Sequence, residues 1–197
     1  MTTQPQRPDL ARELLSRAQR ATTHRSKLLR GLLSRSEIDM GCHIDHADAQ
    51  VLRRIVAEHG WPGRSLVGEE GAEAAWQLAL HADHLPDFQR AALRMLANAV
   101  ERGEAPIRQW AHLRDRCAIN AGQPQIYGTQ HRRGLPGVEM LPTQDPENLD
   151  ARRASVGLPP HAAVHEALRQ RHHREPKTEQ SGRDGEPTRA ALLRSAA

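Results

Sequence analysis

From Pro8 to Gly122 apolar residues recur at three- and four-residue spacing, and from Gly122 to Leu149 they do not. That contrast constrains the fold more than any other feature, because the period of the apolar pattern separates helices from strands and loops. Leu10, Leu14, Ala18 and Ala21 share one helical face, and the pattern extends or restarts through Leu28, Leu29, Leu32 and Leu33. MGCHIDHAD, 40–48, reads as a polar connection in which Asp45 or Asp48 caps the next helix. That helix carries Val51, Leu52, Ile55 and Val56 and stops at Gly60 and Pro62. A third spans about Glu69 to Asp83, with a polar stripe of Gln77, His81 and His84. Pro86 opens a fourth, which Gly103 ends; Phe88, Ala92, Met95, Leu96, Ala99 and Val100 face inward. A fifth places Ile107, Trp110, Ala111, Cys117 and Ala118 inward and ends at Gly122. Short helices are expected over 148–155 and 161–171.

The expectation is therefore an all-α single domain of five to seven helices, with a long irregular segment packed across one end. Residues 1–7 read as a flexible N-terminus, 8–172 as the helical domain and 173–197 as a disordered tail, with a small docking turn at Leu192 and Leu193. A length of 197 residues suits one domain plus loose ends. Aromatic residues make up 3% of the chain and all lie between Trp61 and Tyr127, which predicts a core around Trp61, Trp76, Phe88 and Trp110.

The 28 basic and 24 acidic residues are interspersed, with no basic stripe carrying interleaved aromatics, which argues against a nucleic-acid partner. Cys42 and Cys117 are no disulfide framework and suit a reducing compartment. No apolar run approaches the roughly 20 residues of a membrane helix. MTTQPQRPDLARELL lacks the basic start and apolar middle of a signal peptide, so a cytoplasmic location is expected.

HGWPGRSLVGEEGAEAAW at 59–76, LHAD at 80–83, LRDR at 113–116 and PQIYGTQ at 124–130 occur in that order, followed by DARRASVGLPP at 150–160. The series resembles an uncharacterised bacterial domain family with a GWP turn, a QHAD tetrapeptide, a DR pair, a QxYGTQ segment and an arginine pair before Gly-Leu. The resemblance runs from about Asp45 to His165 and brings no known reaction. Leu80 stands where that family usually has glutamine, Asp48 where asparagine is common, and His112 where tyrosine is common.

His81 and Asp83 join an imidazole to a carboxylate, a combination suited to acid/base work. Residues two apart do not face each other on a helix, so they serve one pocket only if Asp83 lies past the helix end. Asp115 and Arg116 follow the face of Trp110 and Ala111. Gln125, Tyr127, Thr129 and Gln130 bring a phenol, a hydroxyl and two amides into one short segment, suited to a polar planar ligand. The catalytic expectation is His81, Asp83, Asp115 and Tyr127. The ligand-binding expectation is Trp61, Arg116, Gln125, Thr129, Gln130 and Arg152, where Trp61 and Arg152 rest on the resemblance. The competing expectation is a non-catalytic interaction module in which the same residues form a buried polar network. The partner would be a polar small molecule or a protein, with acid/base hydrolase or transferase chemistry in the first case. No metal or cofactor is expected: CHIDH at 42–46 gathers Cys42, His43, Asp45 and His46, and His161 and His165 sit one helical turn apart as paired ligands can, but the HExxH pattern with its glutamate is absent and there is no CxxC. No GxSxG elbow, GxGxxG or P-loop is present.

Overall fold

The computed structural model describes residues 4–133 and 137–174. The expected tail and the Leu192–Leu193 turn lie outside the described residues. The architecture is all-α with one very small sheet, and the chain divides into two compact units, one ending at Leu113 and the other starting at Arg114.

In the first unit α1 (Pro8–Leu29) packs against α3 (Arg64–Leu80) and α2 (Arg35–His59), and α4 (Pro86–Glu101) packs against α3. Pro8 starts α1 at the position where its missing N–H costs nothing. Leu10, Ala11, Leu14, Ala18 and Ala21 are its buried face. The helix ends at Leu29, and Leu32 is exposed.

MGCHIDHAD is not a connection: it lies inside α2. The reason is a capping box upstream. The Ser34 hydroxyl accepts from Glu37 N, and the Glu37 carboxylate accepts from Ser34 N, which starts the helix at Arg35. Asp45 and Asp48 are consequently mid-helix residues and cap nothing. Gly41 sits under the His24 imidazole, where any side chain would collide with the ring.

Helix α3 begins at Arg64, earlier than expected, and is broken at Gly68 (φ 76°), beyond which the regular helix runs to Leu80. The Glu104 carboxylate accepts from Ser65 N at 2.8 Å and so caps its start. Gly71 allows the close approach of α1, since a Cβ there would lie 3.3 Å from that of Ala11. His81 caps the C-terminus of α3, so Asp83 and His84 lie past the helix end and form no continuous stripe with Gln77.

The core is more aliphatic than the aromatic clustering predicts. Trp61 and Phe88 are buried, but Trp76 and Trp110 are only half-buried, and Leu14, Leu52, Ile55 and Leu96 are the large, fully enclosed side chains. Trp76 instead donates from Nε1 to Gln109 O at 2.9 Å. Ile107, expected inward, is exposed at the start of α5 (Ile107–Asn120).

The second unit holds the rest of α5, then the segment read as irregular. That segment contains an antiparallel pair, β1 (His131–Arg133) and β2 (Val138–Met140), with His131 opposite Met140. Three-residue strands are too short to show an alternating pattern, which is why the sequence hid them. A 3-10 turn (Pro146–Asn148) leads into α6 (Leu149–Ser155), and α7 (His161–Arg174) packs on β2 and α6.

Candidate functional site

The order in which polar side chains meet backbone explains the motifs of the second unit. Gly122 (φ 72°) closes α5, and the chain turns back past it. Asp115, 0% exposed, meets that returning segment. Its Oδ1 accepts from Ile126 N at 2.8 Å and Tyr127 N at 3.1 Å. Its Oδ2 accepts from Tyr127 N at 3.1 Å, Thr129 N at 3.0 Å and the Thr129 hydroxyl at 2.9 Å. Such a cradle of N–H groups around a carboxylate holds the turn in one conformation.

A relay joins this acid to a cation. Arg116 Nη1 donates to Gln130 Oε1 at 3.1 Å, Gln130 Nε2 donates to Thr129 Oγ1 at 3.0 Å, and that hydroxyl donates to Asp115. Gln125 acts as an extra peptide unit. Its Oε1 accepts from Gln130 N at 2.8 Å, while Nε2 donates to Gln130 O at 3.0 Å and Leu141 O at 2.9 Å. Gln125, Thr129 and Gln130 are all buried.

The carbonyls of the same turn face the arginine pair on α6. Arg152 Nε donates to Ile126 O at 2.9 Å, and its Nη2 to Asp145 O at 2.9 Å. Arg153 Nη1 donates to Tyr127 O at 2.6 Å and Gly128 O at 3.3 Å, and its Nε to Pro159 O at 2.7 Å. Burial holds the Arg153 guanidinium below its ordinary range, against the pull of Asp150 and Asp115. Gly128 (φ 62°) completes the turn, where a Cβ would stand 2.9 Å from Met140 Sδ. The Tyr127 ring is half-buried. Burial pushes its phenol up against the pull of Arg114, with Asp115 adding to the rise and Arg152 opposing it.

A different arrangement occupies the first unit. Arg17 on α1 bridges Glu13 at 2.9 Å and Asp48 Oδ1 at 2.7 Å. Asp48 is 2% exposed, yet its Oδ2 is buried without a hydrogen-bond partner. One turn earlier on α2, half-buried Asp45 lies 3.6 Å from Arg25. Burial raises the Asp45 carboxyl above its ordinary range; Arg25 and His24 oppose the rise, and Asp48 and Asp83 reinforce it. Asp83 accepts from Gln89 Nε2 at 3.3 Å, and that amide also binds the Ala79 and Leu80 carbonyls at the end of α3. Asp83 is thereby placed within electrostatic reach of Asp45, and His81 is half-buried two residues before it. Trp61 is buried in this unit and its Nε1 has no hydrogen-bond partner.

The structure thus brings Asp115, Arg116, Gln125, Thr129, Gln130 and the backbone of Tyr127 together with Arg152. His81, Asp83 and Trp61 belong to the other unit. Sequence reasoning missed Arg153, whose guanidinium does as much as that of Arg152, and Asp45 and Asp48 as a polar group. The available signal was Asp48 one turn ahead of Leu52 on an otherwise apolar face, beside helix α1 with its arginines. Among the described residues, no group of three or more histidine, cysteine or acidic residues is arranged to hold a metal ion. Nor is any helix among them long and apolar enough to cross a membrane.

Two units built on helices, one of them clasped by a polar turn, define an all-α domain that matches no curated protein and no solved structure. The chain belongs to DUF6624, a family of unknown function, whose pattern matches residues 8–172.

Proposed function

We propose that the protein binds a small polar ligand through the Asp45–Asp48–Asp83 group of the first unit, with acid/base hydrolase or transferase chemistry on that ligand. In this reading the Asp115 network is a structural clasp. Asp115, Arg116, Gln125, Thr129, Gln130 and Arg152 then position the turn, and Tyr127 contributes its backbone. The observation that carries the proposal is the Asp45–Asp48 pair: two acids one helical turn apart, one with a raised carboxyl and one with a buried oxygen lacking a donor. A carboxyl raised by burial beside a second acid is suited to giving up a proton to a bound group. Asp45 supplies the proton, Asp48 accepts a donor group of the ligand, and His81 and Asp83 border the reacting group. Arg17 and Arg25 keep the cluster from excessive negative charge. The unbridged thiols Cys42 and Cys117 support a cytoplasmic location.

The test is a carbon-13 carboxyl titration, joined to a thermal-shift screen of polar small molecules on the wild type and Asp48→Asn. Asp45 is expected to titrate above the usual carboxylate range. At least one compound is expected to stabilise the wild type and not the variant. An ordinary Asp45 titration, with no compound distinguishing the two proteins, overturns the reading.

A further inference from the structure

The clasp ends in a group of histidines that neither it nor the first-unit site uses. His131, the first residue of β1, is 3% exposed. Its ring lies parallel to that of His161 on α7, with 1° between planes and 6.0 Å between centroids. His165, one turn further along α7, places its ring 5.6 Å from His161 and its Nε2 3.1 Å from Val138 O. The Nε2 atoms of His131 and His161 are buried without hydrogen-bond partners. A backbone bond to Thr129 occupies the other side of the His131 ring.

Arg153 is the cation that acts on this stack, and the acids near it are engaged elsewhere or opposed. The buried Arg153 guanidinium on α6 acts on both His131 and His161. Asp150, also on α6, is the acid that opposes it at His161, and its Oδ1 already accepts from His161 N at 2.7 Å. On β2, Glu139 is exposed and paired with Arg132 of β1. Asp115 on α5 acts on Arg153, but its oxygens are taken by the turn.

We propose that the His131–His161–His165 stack and Arg153 form an acid-sensitive latch on the YGTQ turn. With the rings neutral, Arg153 stays buried within electrostatic reach of His131 and His161 and holds Tyr127 O and Gly128 O. A proton on His131 or His161 places a second buried positive charge beside the guanidinium, and two such charges in low dielectric repel strongly. The relief is to expel Arg153 or the rings, and either movement releases the carbonyls of the turn.

Burial, His161, His165 and Arg153 together lower His131 from an ordinary 6.5 to about 4, and burial lowers His161 as well. A histidine with a depressed folded value leaves the unfolded chain to take up the proton first. Its contribution is complete above 6.5 and is lost as pH falls from there through about 4. The loss approaches tenfold in the opening equilibrium per pH unit per imidazole, since one pKa unit is a factor of ten.

The experiment follows imidazole titration by NMR and amide hydrogen exchange at 126–129 in the full chain, from neutral pH to mild acid. Comparison with His161→Gln, which removes the titrating ring at a half-buried position, isolates the stack. Protection at Tyr127 and Thr129, corrected for intrinsic exchange, is expected to fall at least about tenfold across the histidine range, ahead of the α2 and α3 amides. His161→Gln is expected to flatten that fall. His131 titrating near its ordinary value overturns the latch, as does loss of 126–129 protection only together with the α2 and α3 amides. The wild-type measurement decides even if the variant folds poorly.

Discussion

Asp115 and Asp48 are buried to almost the same degree, 0% and 2% exposed, but their surroundings differ. Both oxygens of Asp115 are filled by backbone N–H groups and a hydroxyl. Asp48 meets one guanidinium and keeps one oxygen empty-handed. An acid whose acceptor sites are all used holds a chain in place. An acid with a site left over is available to something else, because burying an unmet acceptor costs about 1–3 kcal/mol unless a partner arrives. Burial alone does not separate these two carboxylates; hydrogen-bond completeness does.

The largest effect that sharpens this comparison is expected from Asp115→Ala. Removing the carboxylate strands the N–H groups of Ile126, Tyr127 and Thr129 and leaves the Arg116 relay without its anion. A loss of about 3–5 kcal/mol is expected, as for breaking a buried charged network. Urea unfolding measures it, and an Asp115→Ala loss below about 1 kcal/mol would break the contrast with Asp48.

Gly128→Ala comes next. The residue would be forced to a positive φ with its Cβ against Met140 Sδ. About 1–3 kcal/mol is expected, again by denaturant midpoint. The smallest effect concerns Asp45. Its folded carboxyl is raised, so the native state binds the proton more tightly than the unfolded chain. Acidification through the carboxylate range therefore relieves a cost, the opposite sign to His131. Asp45→Asn should remove that pH dependence and leave neutral-pH stability equal or slightly higher. Melting temperatures of both proteins across the carboxylate range check this, and a variant that loses stability at neutral pH contradicts the raised carboxyl.

The helices were legible in sequence because their apolar faces repeat and their ends carry Pro8, Gly60, Pro86 and Gly103. The exception, 40–48, failed for a physical reason: α2 is polar on most of its first half and is started by the Ser34–Glu37 box rather than by apolar spacing. Weak helix formers there conceal a helix that capping and the buried face further along support. The site was legible as residue types and not as roles. QIYGTQ announces polar groups, but whether those groups face a ligand or their own backbone depends on contacts between residues up to 26 positions apart. Arg153 could not be told from Arg152 without those contacts. Asp45 and Asp48 were hidden by their neighbours in a segment that looks like a linker.

The clasp also sets an order of assembly. Asp115 closes chain segments of 11 to 14 residues when it takes its amides, whereas the arginines must close 26. Loop-closure entropy grows with the logarithm of length, so the shorter closures cost less, and they use residues made earlier on the ribosome. The carboxylate can therefore gather the turn first, and the guanidinium pair then shuts a loop that is already shaped.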